Sequence, residues 1–374
     1  MIYNGFKGLK LSALGMGTMR LPVLDGKNSQ IDEVAAAEMV AAAMEKGVNY
    51  YDTAWGYHDG NSEIVMGKIL KNYPRESFYL ATKFPGYDTE NLSKAEEIFE
   101  KQLEKCQTEY FDFYLIHNVC ESDIEGYLNE EYGLLPYLLE QKAKGRIRHL
   151  GFSVHGSLET MKRFLDRWGE HMEFCQIQLN YIDWNLQKAC DKVSLCKERN
   201  LPVWVMEPLR GGKLATLPEA GVAALKELRP EEGVPAWAFR YLQSIPEVTV
   251  ILSGMSNYEQ VLDNLRTFET YAPVSEEEAT VLQEIAARLC AGVPCTACRY
   301  CTTYCPMGLD IPKLLEMYNE HIFSGGGFIA PMYVNSLPEN KRPSACIGCR
   351  SCEAVCPQQI KISEVLADFS GKLK

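Results

Sequence analysis

The sequence predicts an α/β protein: a (β/α)₈ barrel over residues 1–285, followed by a small, mainly helical domain over residues 286–374. Three observations lead there. Up to about residue 285 short apolar runs alternate with longer amphipathic ones, as strands and helices do in a parallel sheet closed on itself. Polar residues stand at the ends of several of those runs. Eight of the fourteen cysteines crowd into two runs near the C-terminus.

The strand candidates, in order, are Leu14–Met19, Val48–Asp52, Phe78–Lys83, Phe113–His117, His149–Ser153, Phe174–Leu179, Pro202–Glu207 and Val248–Ser253. Several are apolar almost throughout, as strands buried on both faces are. Helix-like segments lie between them, such as Ile31–Lys46, Leu92–Cys106 and Leu158–Arg167. Ser157 and Asn91 are placed to cap helix N-termini, and Gly47 and Gly145 to stop helices. An open, doubly wound sheet is the rival architecture. Against it, Gly15-Met16-Gly17 runs into Thr-Met-Arg-Leu-Pro without a third glycine opening a helix. Beyond Ser275 the pattern changes: Glu276–Leu289 and Ile311–Phe323 read as helices flanking the first cysteine run, and Ser324–Gly327 reads as a break.

Bulk properties exclude several function classes. The 374 residues are 46% hydrophobic and 24% charged, enough for a sizeable core. With 38 Lys and Arg against 50 Asp and Glu, the net charge is −12, which disfavours nucleic acid and anionic membranes as partners. No stretch approaches the ~20 apolar residues of a membrane-spanning helix. The N-terminal segment lacks the basic and apolar regions of a secretory signal, so the expected location is cytoplasmic.

Cys106, Cys120, Cys175, Cys190, Cys196 and Cys290 are scattered, which suits small buried hydrophobes. The other eight form Cys295-x₂-Cys298-x₂-Cys301-x₃-Cys305-Pro306 and Cys346-x₂-Cys349-x₂-Cys352-x₃-Cys356-Pro357. Three thiolates at this spacing wrap one face of a cubane, and the trailing Cys-Pro reaches the other cluster. Cys295, Cys298, Cys301 and Cys356 are therefore expected to hold one [4Fe–4S] cluster. Cys346, Cys349, Cys352 and Cys305 are expected to hold a second. Paired Cys-x-x-Cys units can also bind structural zinc, but zinc gives no reason for the full motif to occur twice. The module resembles two-cluster bacterial ferredoxins, with a longer spacer from Cys305 to Cys346 that predicts an inserted helical segment.

Barrel enzymes place catalytic groups at the C-terminal ends of strands. Asp52 ends the second run with Tyr57 just beyond it, Lys83 ends the third and His117 the fourth. An acid, a phenol, an ammonium and an imidazole stand at successive strand ends, and their resemblance to the aldo-keto reductase superfamily, carried further by the pieces below, implies carbonyl reduction, where the nascent alkoxide needs a proton donor. In that reading Tyr57 is the general acid and base. Lys83 is expected to lower its pKa from ~10 towards neutrality, Asp52 to hold the lysine, and His117 to orient the carbonyl.

These pieces resemble the aldo-keto reductase superfamily: Asp52-Thr-Ala-x-x-Tyr57 with Glu63 and Gly67, Ala-Thr-Lys83, Tyr-Leu-Ile-His117, Gly151-Phe-Ser153, Gln176, Pro208-Leu209, and Ser253-Gly254-Met255-Ser256 with Asn264. The tail resembles the subgroup carrying a C-terminal ferredoxin-type domain. The resemblance implies an NAD(P)-dependent oxidoreductase acting on a small-molecule carbonyl or alcohol, with NADP(H) or NAD(H) across the barrel mouth. It implies Ser153 and Gln176 on the nicotinamide carboxamide and Leu209 along the pyrophosphate. Gly254, Ser256, Gln260 and Asn264 fall at the adenosine end. The family inclines to NADP(H), yet Gln260 and Gly254 replace an arginine and a lysine frequent there, and Met206 replaces a stacking aromatic. Arg210, Lys213 and Arg266 are the cations available to compensate.

Hydride moves two electrons and a cluster takes one, so three arrangements stay open: a flavin in the barrel, for which no motif is recognisable, a ferredoxin or flavoprotein electron partner, or clusters with a mainly structural or sensing role. The alternative to an enzyme is a redox-sensing or electron-transfer subunit that binds nicotinamide and works through its ferredoxin domain. Oxygen-sensitive clusters suit an anaerobic setting. Substrate choice is expected in the loops around Trp55–Gly60, Val119–Gly133 and Trp184–Gln187, whose aromatics Trp55, Tyr132 and Trp184 suggest an apolar-lined pocket.

Overall fold

The computed structural model describes every residue except Ala291, Thr296 and Lys374. It comprises two compact units, one of residues 1–183 with 189–281 and one of residues 184–188 with 282–374. The division falls inside a helix, Glu276–Leu289.

The first unit opens with a two-stranded antiparallel hairpin, β1 (Tyr3–Phe6) and β2 (Leu9–Ser12). The eight strands that follow are β3 (Leu14–Gly17), β4 (Tyr50–Asp52), β5 (Tyr79–Phe84), β6 (Phe111–Val119), β7 (Ile147–Val154), β8 (Cys175–Gln178), β9 (Val203–Met206) and β10 (Val248–Gly254). All pair in parallel and close into a barrel in the order β10-β3-β4-β5-β6-β7-β8-β9. The expected (β/α)₈ architecture is present. The register sets Gly17 beside Asp52, Lys83 beside Leu115, Ser153 beside Gln176, and Ser253 beside Met16. Groups near the C-terminal strand ends thus share one rim.

The hairpin has no counterpart in the sequence reading. Lys7 and Gly8 form its two-residue turn, both with positive φ (46° and 85°), the geometry that matches the strand twist. Phe6 and Leu11 project into a core with Tyr50, Phe113 and Trp204, from the early parts of their strands, and Phe174, just before β8. The hairpin therefore plugs the floor of the barrel. Phe6 meets Trp204 edge to face at 5.1 Å and Phe113 at 5.7 Å. Burying a ring of that size contributes roughly 1.5–3 kcal/mol. Asn4 and Asn49 fasten the plug, the first donating to Thr249 O at 2.8 Å and the second accepting from Ser12 N at 2.8 Å.

Helices surround the strands, with local differences from the sequence reading. Helix Glu33–Glu45 is capped by Asp32, whose side chain accepts from Ala35 N. Ser157 caps Leu158–Trp168, accepting from Thr160 N, as expected. Asn91 does not cap a helix: residues Thr89–Lys94 form a 3₁₀ segment begun by Asp88, and the α-helix runs from Ala95 to Cys106. Asp88 meets the free N–H of Glu90 first, so the chain tightens before it can enter an α-helix. Helix Ser62–Leu70 lies close against the end of Ala95–Cys106 because Gly67 has no side chain. A Cβ there would sit 2.4 Å from Lys105 O.

The second unit has short helices and, among the described residues, no strand. Helix Ile311–Ser324 starts at Asp310, which accepts from Lys313 N, and stops at Gly325 with φ 66°. Helix Ile329–Ser336 follows, so the spacer between the cysteine runs is helical as expected. Helix Ile362–Lys372 closes the chain. The main core of this unit combines Leu309, Ile311, Leu314, Ile362 and Leu366 with Cys301 and Cys352. Among the described residues, no helix is long and apolar enough to cross a membrane.

Candidate active site and cysteine cavities

Asp52 ends β4, Lys83 lies one residue before the end of β5, and His117 lies two before the end of β6. Tyr57 opens the 3₁₀ turn Tyr57–Gly60 that follows β4. The parallel barrel brings all four together. Lys83 is fully buried, and its ammonium spends its three donors on Asp52 Oδ1 at 2.5 Å, Thr53 O at 2.8 Å and Tyr57 Oη at 3.3 Å. The His117 ring meets Tyr57 edge to face at 6.1 Å and Tyr87 at 5.3 Å. Its backbone carbonyl accepts from Tyr127 Oη, and its Nδ1 has no partner among the described residues.

Burial opposes the charge on Lys83, but Asp52 and Tyr57 outweigh it and raise its pKa, so the lysine stays an ammonium. His117 is held well below the usual imidazole value by burial and then by Lys83, so its ring is neutral. Tyr57 departs from expectation. Burial raises its pKa above 10, Asp52 and Glu207 add to that, and the opposing pull of Lys83 does not reverse it. The phenol is protonated at neutral pH, because burial outweighs the pull of the lysine.

Behind Lys83 lies a buried network that sequence reasoning left unassembled. Glu63 Oε1 accepts from Thr82 Oγ1 at 2.6 Å and Gln102 Nε2 at 2.7 Å, while its Oε2 accepts from Lys105 Nζ at 2.6 Å. Gln102 also donates to Lys83 O at 3.0 Å and accepts from Tyr114 Oη at 2.6 Å. The strand carrying Lys83 is thereby pinned to helix Ala95–Cys106. Asn118 and Glu207, next to the site, are non-glycine residues with positive φ (59° and 57°), a strained geometry common near reactive centres.

A cavity of about 710 Å³ opens beside Asp52 and Tyr57, within the size range of small-molecule sites. Gln176, Leu209, Gly254, Ser256, Gln260 and Asn264 line it. Gln176 Oε1 is buried without a partner among the described residues, and its Nε2 reaches Met206 Sδ at 3.6 Å. Ser153 is not among the lining residues; it lies buried behind, where its Oγ accepts from Asn118 N at 2.8 Å. Arg210 is also withdrawn, buried against Asp183 at 2.8 Å, whereas Arg266 lines the cavity. Arg20, Glu207, Gly211 and Gly212 line it too and were not anticipated. Of the three loop aromatics, Trp55 stacks under Lys105 at 4.5 Å in a separate outer cleft. Tyr132 is 38% exposed and Trp184 falls in the second unit. The aromatic beside His117 is instead Tyr87.

Residues 13–287 match the Aldo/keto reductase family. The chain belongs to that family. Residues 294–361 match the 4Fe-4S dicluster domain, so this aldo-keto reductase carries an iron–sulfur domain at its C-terminal end. It is 24% identical over 328 residues to the NADH-specific methylglyoxal reductase of Escherichia coli (strain K12), covering 76% of this chain and 98% of that protein. It is 26% identical over 305 residues to the L-galactose dehydrogenase of Arabidopsis thaliana, covering 76% and 92%. The aldo-keto reductase AKR11C1 from Bacillus halodurans (holo form) superposes with a TM-score of 0.61 at 26% identity, covering 76% of this chain and 96% of that one.

In the iron–sulfur domain the cysteines gather four by four. Cys295, Cys298 and Cys301 line one cavity with Cys356 from the other motif. Cys346, Cys349 and Cys352 line a second with Cys305. Among the described residues no three Cys, His or acidic side chains converge as they would on a single metal ion; the cysteines are arranged around spaces instead. Leu309 N donates to Cys305 Sγ at 3.5 Å, and Arg299 and Arg350 line the first and second cavity. The scattered Cys106, Cys120, Cys175 and Cys196 are buried.

Proposed function

We propose that this chain interconverts a small-molecule carbonyl and an alcohol by hydride transfer with NAD(P)H, using Tyr57 as general acid and base, and that its tail carries two [4Fe–4S] clusters for electron transfer. The observation that carries the reading is the Lys83 ammonium held between Asp52 and the Tyr57 hydroxyl at the edge of the cavity.

When bound, the nicotinamide exchanges the hydride and each cluster exchanges one electron. The orphaned Gln176 oxygen in the cavity wall suits a carboxamide N–H, with Ser153 behind it. Leu209 would flank the pyrophosphate, and Gly254, Ser256, Gln260 and Asn264 would take the adenosine end. Eight thiols in two sets of four supply the donor set that two cubanes require.

The protein's own part is proton handling. Tyr57 Oη gives its proton to the developing alkoxide, and Lys83 stabilises the phenolate left behind. In the reverse direction the same oxygen accepts the alcohol proton. Neutral His117 offers an N–H to the carbonyl oxygen without competing as an acid. Asp52 holds Lys83 charged and in place. The eight cysteines would hold clusters that could exchange single electrons with a ferredoxin or flavoprotein partner, apart from the carbonyl reaction.

The test is anaerobic turnover of the reconstituted full chain with each nucleotide and a panel of aldehydes. One alcohol formed per nucleotide oxidised is the expected result. Nucleotide binding with no alcohol from any aldehyde would favour a redox-sensing or electron-transfer subunit instead.

A further inference from the structure

We propose that Tyr87 sets substrate choice by donating a hydrogen bond to a second oxygen beside the reacting carbonyl, so that 2-oxo and 2-hydroxy carbonyl compounds are favoured. This deepens the carbonyl-reduction reading above and rests on it.

The cavity beside Tyr57 is lined from β3, β4, β8, β9, β10 and the segments after them; β5 and β6 contribute no lining residue. A nucleotide in that cavity leaves the carbonyl compound to reach Tyr57 Oη and the His117 ring from the remaining side of the rim. The segments after β5 and β6 stand there, and Tyr87 is their aromatic beside the site. Its ring meets His117 edge to face at 5.3 Å and 78°, while Tyr57 meets the same imidazole at 6.1 Å and 79°. Two phenols thus attend one imidazole. The Tyr87 hydroxyl also reaches the turn that carries Tyr57, since a Cβ on Gly56 would stand 2.8 Å from Tyr87 Oη.

That hydroxyl is available. Tyr87 is 37% exposed, and its Oη has no hydrogen-bond partner among the described residues. Burial raises its pKa above 10 and Tyr57 adds to that, so the phenol is a donor at neutral pH.

The backbone under Tyr87 is held in place. Pro85 O accepts from Asn91 Nδ2 at 3.0 Å and from Asp88 N at 3.3 Å, and Phe84 O accepts from Gly86 N at 3.0 Å. Gly86 lies against Tyr127, where a Cβ would collide with the ring, and Tyr127 Oη donates to His117 O. One side chain therefore fixes the Tyr87 segment to the strand that carries His117. A hydroxyl so held, and left without a partner, meets an incoming acceptor at little further cost in entropy. With the reacting oxygen on Tyr57 and His117, the acceptor in reach is an oxygen on the adjoining carbon. A compound that lacks it leaves the phenol unpaired.

Steady-state kinetics of the anaerobically reconstituted full chain and of its Tyr87→Phe variant, with 2-oxopropanal and with propanal, tests this. The two aldehydes share a carbon skeleton and differ in the second oxygen. The substitution keeps the ring on His117 and removes only the hydroxyl. It should lower kcat/KM for 2-oxopropanal about tenfold, as loss of one hydrogen bond does, and leave propanal within about twofold. Nucleotide affinity should not change. An equal or larger fall for propanal overturns the inference, because Tyr87 then acts on the chemistry through His117 and not on a second oxygen. No change with either aldehyde overturns it as well, as does turnover of other aldehydes with neither of these accepted. If no aldehyde of any kind is reduced, the carbonyl-reduction reading is lost and this inference with it.

Discussion

The barrel rim and the cysteine-rich unit hold their functional side chains by opposite means. At the rim, Asp52, Lys83 and His117 belong to hydrogen-bonded strands, and Glu63, Gln102 and Tyr114 brace Lys83 from behind. The charge of Lys83 is satisfied within the protein. Its geometry needs no ligand. In the second unit the motif cysteines lie on irregular backbone apart from Cys301 in a short helix and Cys352 in a turn, two of them, Cys298 and Cys349, are exposed, and Cys301 and Cys352 are part of the core. With this core built partly from the cysteines themselves, cluster ligation would add to the folding free energy there. One site is preorganised by the fold, and the other organises the fold around it.

Stripping the clusters with oxygen or a chelator breaks the comparison most forcefully. Colour and the helical signal of residues 282–374 should be lost. Carbonyl turnover should persist, because the barrel site is braced within its own unit. Retention of full iron and sulfide in air would contradict the cluster half of this contrast. Loss of turnover in step with colour would contradict the barrel half.

The floor of the barrel offers a smaller perturbation. Phe6→Ala removes the ring that fills the plug, and should lower stability by about 3–5 kcal/mol with little change in the Michaelis constant for the nucleotide. Chemical denaturation measured beside steady-state kinetics separates the two effects. A changed Michaelis constant with unchanged stability would mean that the hairpin serves the site rather than the core.

The pH dependence sharpens the account of the rim. Tyr57 sits above 10 and His117 well below 6.5 in the free protein. Reduction uses the protonated phenol, which is fully populated at neutral pH. Its kcat/KM should therefore stay flat across the neutral range and fall only above the tyrosine pKa. Oxidation uses the phenolate, so its kcat/KM should climb with pH throughout that range. No break should appear near 6.5. A histidine-like break there would show that His117 carries the proton.

Much of this was legible in the sequence, for reasons that differ by region. The cysteine spacing fixes a ligand geometry by itself, and both sets of four appear around cavities as the motif implies. Asp52, Tyr57, Lys83 and His117 stood out because parallel strands bring their C-terminal ends to one rim, whatever the loops do. The hairpin escaped because Tyr3–Ser12 is short and interrupted by Gly5 and Gly8. The positive φ at Lys7-Gly8 and the alternation of Phe6, Leu9 and Leu11 were the available signals. Arg20 and Glu207 escaped because single charges on loops carry no periodicity that locates them. The Tyr57 pKa was misjudged because the sequence does not say how deeply the phenol is buried, and burial outweighs the lysine.

The most direct measurement of the central claim is Tyr57→Phe in the anaerobically reconstituted protein, with nucleotide affinity, cluster content and turnover recorded on one preparation. The substitution removes the hydroxyl and keeps the ring beside His117. Turnover should fall by roughly 10²–10⁴-fold, while nucleotide affinity and iron content stay unchanged. Turnover equal to that of the unaltered protein would contradict the account, since the proton would then come from another group.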